Sequence, residues 1–151
     1  MKETDFLFGF SSMYKGKHFF MGDFDDVTKE ELMDRVGKIL FNKYKFGRVY
    51  LIKSGKGYHL ISFSKLLSLK EYLKILKEMK ADEKYIEWVE RTGYGILRIS
   101  RRSGHFKVPK LEAILISPYD SDEIKGSRNF YFLLLKLEER YKEVRRVVLN
   151  D

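Results

Sequence analysis

The chain predicts an α+β fold in one domain spanning residues 1–151, a mostly antiparallel sheet with helices packed against it. Three observations carry that prediction. Short apolar runs and helical stripes succeed one another in the order β-β-α-β-β-α-α-β-β-α. Two of the helices open on complete capping boxes, Thr28 with Glu31 and Ser68 with Glu71. Two pairs of apolar runs are joined by tight glycine-containing turns, at Lys15-Gly16 and at Gly55-Lys56-Gly57.

Residues 5–12 read as a first strand, and the turn at Lys15-Gly16 leads into a second, His18-Phe19-Phe20-Met21-Gly22-Asp23-Phe24-Asp25. On that strand Phe19, Met21, Asp23 and Asp25 share one face, and Phe20, Gly22 and Phe24 the other. Apolar residues on both faces predict a central strand whose acids lie where it leaves the sheet. Thr28 then opens a helix with the buried stripe Leu32, Val36, Ile39, Leu40 and Tyr44, and Gly47 is its expected stop. Residues 49–52 and 58–63 form a hairpin about the Gly-Lys-Gly turn. Its glycines permit positive φ, which lets a backbone come close to a ligand, although an ordinary hairpin explains them as well.

A second helix turns Leu69, Tyr72, Leu73, Leu76 and Met79 inward. Lys70, Lys74, Lys77 and Lys80 lie off that stripe, as a solvated face or a nucleic-acid surface. Asp82 opens a third helix over 83–91, with Tyr85, Ile86 and Val89 inward. Residues 96–101 and 111–117 are strands, separated by a basic loop, and the core of the domain spans about 5–117. A long helix is predicted over 128–148 from Phe130, Leu134, Leu137, Tyr141, Val144 and Val148, as a cover for the domain or as a homodimer interface.

Composition bounds the function. With 151 residues, 44% hydrophobic and 15% aromatic, the chain is long and apolar enough for a packed core, which excludes a mainly disordered protein. No apolar run reaches the length of a membrane span and the first residues do not read as a signal peptide, so a cytoplasmic protein without a membrane partner is expected. The absence of cysteine excludes disulfides and Cys-ligated zinc. Lys and Arg number 30 against 22 Asp and Glu, a formal charge of +8, which suits a polyanionic partner such as nucleic acid or nucleotide.

The acids are the chemical signal. Alternate residues of a strand point the same way, so the Asp23 and Asp25 carboxylates lie roughly 7 Å apart along one face. Like charges there repel unless a cation sits between them, so the pair suits one or two Mg²⁺ or Mn²⁺ ions that in turn hold nucleotide phosphates. Asp23, Asp25 and Asp26 also read as strand-end turn residues leading to the Thr28 cap. Ser54 and Lys56 are donors for phosphate oxygens, with the amides of Gly55 and Gly57 as a nest. His59 lies between apolar neighbours, as a structural histidine or as part of the same phosphate site. His18, His59 and His105 are too scattered for a His-x-His metal pair, and neither a Walker loop nor a Gly-x-Ser-x-Gly elbow is present.

A strand ending in Asp23-Phe24-Asp25, then a helix, a strand and the turn Ser54-Gly55-Lys56-Gly57-Tyr58-His59, resembles the catalytic core of the archaeo-eukaryotic primase superfamily over roughly residues 18–110. The resemblance implies an RNA-recognition-motif-like sheet, with Asp23 and Asp25 as catalytic metal ligands. It places Ser54, Gly55, Lys56, Gly57 and His59 around the incoming triphosphate, His59 counting as catalytic. The family's third acid falls on Asp82, which fits a helix N-cap equally. Arg98 resembles the family's phosphate-facing arginine, and Arg101, Arg102 and Lys107 are expected to contact a nucleic-acid strand. The implied activity is that of a DNA primase-polymerase, metal-dependent nucleotidyl transfer from nucleoside triphosphates, with DNA preferred to RNA as partner. The implied setting is a plasmid- or virus-like replication protein of an archaeon, working with a replication partner. The lack of cysteine departs from the zinc knuckle usual in cellular primases. A catalytically inactive nucleic-acid-binding module and a metal-dependent nuclease are the alternatives on the same fold.

Overall fold

The computed structural model describes residues 9–98, 110–124 and 145–149. In chain order its elements are β1 (Gly9–Ser11), β2 (Met13–Tyr14), β3 (Lys17–Phe24), α1 (Lys29–Arg35, widening into a π-helix over Val36–Lys43), β4 (Arg48–Ser54) and β5 (Gly57–Leu67). There follow α2 (Leu69–Glu78), α3 (Glu83–Thr92), β6 (Ile96–Arg98), β7 (Lys110–Ile116) and β8 (Arg145–Val148). A six-stranded sheet runs β2-β3-β5-β4-β7-β8, antiparallel except for the parallel β7–β8 pair, while β1 and β6 pair as a separate antiparallel ribbon. The α+β class and the antiparallel sheet are as expected. Among the described residues no helix is long and apolar enough to cross a membrane.

Lys15 and Gly16 take φ values of 51° and 77°, the left-handed pair that a two-residue hairpin matched to strand twist requires. The hairpin they close differs from expectation in its first arm. The two-residue β2 pairs with β3, and β1 departs at buried Ser12 to pair with β6. As expected β3 is an interior strand, between β5 and the two-residue β2, though one place from the sheet edge. Among the described residues, its outer edge beyond His18 is met by single backbone bonds, Phe19 N–H to Ser12 O and Asp82 N–H to Asp23 O, each 2.8 Å. Its two apolar faces have different causes. Phe20 meets Tyr72 of α2 edge-on at 6.2 Å, and a Cβ on Gly22 would stand 3.3 Å from Leu76. On the other face Met21-Ile61-Tyr50 and Asp23-His59-Ile52 form two cross-strand rows. Phe19, Phe20 and Met21 are fully buried, each such side chain contributing roughly 1.5–3 kcal/mol.

Thr28 Oγ1 accepts the Glu31 N–H at 3.1 Å, and Leu32, Val36, Leu40 and Phe41 face the core. The helix ends at left-handed Lys45 (φ 59°), with the Phe46 N–H on the Leu40 carbonyl, so Gly47 is not the stop. Gly47 is small for another reason: a Cβ there would lie 2.9 Å from the Asp120 Cα and the Tyr119 carbonyl oxygen. Both halves of the Ser68–Glu71 capping box form, and Tyr72, Ile75, Leu76 and Met79 bury the α2 stripe.

Of the helix expected over 128–148, residues 128–144 lie outside the described ones. Arg145–Val148 are a strand, in register from Ala113↔Arg145 to Ile116↔Val148. Two β-branched valines favour the pleated conformation, and the outer edge of β7 supplies the N–H and C=O partners that a helix would have found internally.

Candidate metal centre

The acids meet where β3 ends. Asp23 stands directly across from His59 in the sheet, and opposed residues share a face, so His59 Nε2 comes to 3.4 Å from Asp23 Oδ1. His59 is buried, while Asp23 keeps part of its carboxylate open to solvent. Asp25 follows the last residue of the strand and lies over Gly57. A Cβ on Gly57 would fall 2.2 Å from the Phe24 carbonyl oxygen and 2.6 Å from Asp25 Oδ1.

That contact corrects the expected role of the turn. Neither Gly55 nor Gly57 has positive φ, because the Ser54↔Gly57 pair closes the hairpin without a left-handed residue. Gly57 gives up its side chain so that the Asp25 carboxylate can occupy the space, whereas a Cβ on Gly55 would meet nothing within 4 Å.

Asp82 reaches the cluster from the opposite direction. After α2 the chain turns through left-handed Lys80 (φ 57°) and crosses the edge of β3, where the Asp82 N–H bonds the Asp23 carbonyl at 2.8 Å. Its carbonyl accepts the Ile86 N–H, as an N-cap residue's should, yet its side chain makes no capping bond. The carboxylate instead joins the other two: one oxygen each from Asp23, Asp25 and Asp82 lies within 4.8 Å of the others. The position is that of a cap, and the side chain has been released from capping.

Three carboxylates this close work against one another. Burial raises the Asp25 pKa, and the charges of Asp23, Asp82 and Asp26 raise it further, with His59 opposing. A carboxyl whose pKa is higher in the folded than in the unfolded protein contributes stability below its unfolded value, and loses it as pH rises through the folded one. At neutral pH the ionised Asp25 carboxyl, though open to solvent, is therefore a cost to the metal-free fold. Asp25→Asn is expected to raise the melting temperature in chelator by about 2–4 °C at pH 7, and to leave it unchanged well below the ordinary carboxylate range. Scanning fluorimetry across pH checks both.

Of the remaining expected site residues, Ser54 is buried at the end of β4 opposite Gly57, and Gly55 and Lys56 are exposed at the tip. Arg98 lies on β6, paired with Gly9 of β1, and β6 packs beside β3. Arg101, Arg102 and Lys107 lie outside the described residues. Comparison with protein-family models, curated proteins and solved structures found no match for this chain. The functional reading rests on the geometry of the site.

Two residues beneath that site were legible only as members of apolar stripes. Tyr72 and Tyr85 are buried with their hydroxyls 3.0 Å apart. The available signal was chemical: a tyrosine in a core stripe needs a partner for its hydroxyl, where phenylalanine does not.

Proposed function

We propose that the protein binds divalent metal and a nucleoside triphosphate at the Asp23–Asp25–Asp82 cluster and catalyses nucleotidyl transfer in the manner of a primase-polymerase. The observation that supports this is the arrival of Asp82, far away in the chain, beside the Asp-x-Asp pair with its carboxylate free of capping. An all-carboxylate oxygen set fits Mg²⁺ or Mn²⁺, hard ions that keep positions open for water and phosphate. Bound ions would polarise the α-phosphate and lower the pKa of the attacking 3′-hydroxyl. The chain's own residues would do the rest. Asp23, Asp25 and Asp82 would hold the ions, and His59, 3.4 Å from Asp23, would orient its carboxylate. The Ser54 hydroxyl and the Lys56 ammonium group would hold the triphosphate, so that the 3′-oxygen, its proton passing to solvent, bonds to the α-phosphorus in line as the bond to pyrophosphate breaks. The net charge of +8 suits a nucleic-acid template, DNA in this reading.

Primer synthesis on single-stranded DNA with Mn²⁺ tests the proposal. Asp82→Asn is expected to reduce product at least about tenfold while triphosphate binding falls less, since two of three carboxylates remain. Salt-sensitive DNA binding with no product in the wild type would leave a binding module. Cleavage of DNA without triphosphate would make the site a nuclease.

A further inference from the structure

Tyr72 Oη lies 2.5 Å from the Met21 carbonyl oxygen and 3.0 Å from Tyr85 Oη. A carbonyl only accepts, so the one proton of Tyr72 is committed to Met21, and Tyr85 must be the donor in the bond between the hydroxyls. Met21 stands two residues before Asp23 on β3, on the same face. Tyr85 stands one helical turn after Asp82 on α3. The relay Met21–Tyr72–Tyr85 therefore ties the strand that carries Asp23 and leads into Asp25 to the helix that begins just after Asp82.

The Asp82 N–H to Asp23 O bond is a second tie between the same two elements. One tie is a pivot, and two at different heights set rotation as well as distance. The relay has no slack, because a Cβ on Gly95 would lie 2.4 Å from either hydroxyl oxygen. Gly95 is itself held by its N–H on Ser12 Oγ at 2.9 Å. Burial pushes both tyrosine hydroxyls well above their ordinary pKa, and the charge of Asp23 adds to the effect on Tyr85, so both remain donors at neutral pH.

Carboxylates that repel need such a restraint, since an untied α3 relieves the repulsion by drawing Asp82 away. We propose that Tyr85, acting through Tyr72, is a positioning residue that holds the Asp82 carboxylate against Asp23 and Asp25 before metal arrives. This rests on the metal-site reading above and adds the device that preorganises it.

The test is a double-mutant cycle read in two ways. Mn²⁺ is titrated by calorimetry into the wild type, Tyr85→Phe, Asp82→Asn and the double variant, and each is also melted in chelator. Phenylalanine keeps the ring and its packing and removes only the donor. Tyr85→Phe is expected to weaken Mn²⁺ binding about tenfold in the wild-type background and by less than about twofold on top of Asp82→Asn. In chelator, Asp82→Asn is expected to raise the melting temperature less in the Tyr85→Phe background, where the carboxylate has already moved off.

Wild-type Mn²⁺ affinity in folded Tyr85→Phe, or the same loss with and without the Asp82 carboxylate, overturns the proposal. Should the wild type take up no Mn²⁺, the metal reading falls, and the chelator melts decide the restraint alone: equal gains in both backgrounds sink it. Tyr72→Phe, which cuts the relay at Met21, is run through the same cycle in case Tyr85→Phe does not fold.

Discussion

Calorimetric titration of a nucleoside triphosphate with Mn²⁺ is expected to show binding that falls at least about a hundredfold in the Asp23→Ala/Asp25→Ala double variant. Loss of residues that merely orient metal ligands already costs about 10–100-fold, and this variant removes two of the three ligands outright. Loss of binding through unfolding is separable from loss of the site. Removing two repelling carboxylates is expected to leave the metal-free variant at least as stable as the wild type, because the Asp25 carboxyl is ionised there against a raised pKa. Binding that survives in the variant places the triphosphate elsewhere. No metal-dependent binding in either protein ends the catalytic reading and leaves a basic sheet.

Gly57→Ala is expected to cost about 2–4 kcal/mol, a fall in melting temperature of about 5–15 °C, and most of the Mn²⁺ affinity with it. The added Cβ would start 2.2 Å from the Phe24 carbonyl oxygen and 2.6 Å from Asp25 Oδ1, so either the end of β3 or the start of β5 must move. Backbone, unlike the tip of a long side chain, gives way only by breaking register. Gly55→Ala, two residues earlier with open space around it, is the control and is expected to melt within about 2 °C of the wild type. Equal behaviour of the two variants in thermal melts would mean that Gly57 does not seat the acid.

The parts of this architecture that could be read in advance are those whose causes lie within a few residues. Ser68 and Glu71 satisfy each other's backbone groups three positions apart, and the Thr28 hydroxyl caps the Glu31 N–H, so both helix starts stood in the chain itself. The same holds for the turn at Lys15-Gly16 and for the face that Asp23 shares with Phe19 and Met21. Where inference from periodicity failed, a distant partner had intervened. β1 has the pattern of a hairpin arm and pairs with β6 instead. Val148 ends the expected helical stripe and, with Val147, joins the edge of β7 instead.

The sequence by itself determined the α+β class, the helix starts, the placing of Asp23 at the end of a strand with Asp25 just beyond it, and the tight hairpin before His59. Tertiary structure alone decided that Asp82 would offer its carboxylate to that pair and not to its own helix, and that Gly57 would serve to seat Asp25 and not to bend the chain. The physical reason is one of reach. Caps and turns are settled by hydrogen bonds between neighbours, whereas the spacing of three repelling charges is set by groups remote from them: the Asp23 carbonyl, the Met21 carbonyl and two buried tyrosine hydroxyls.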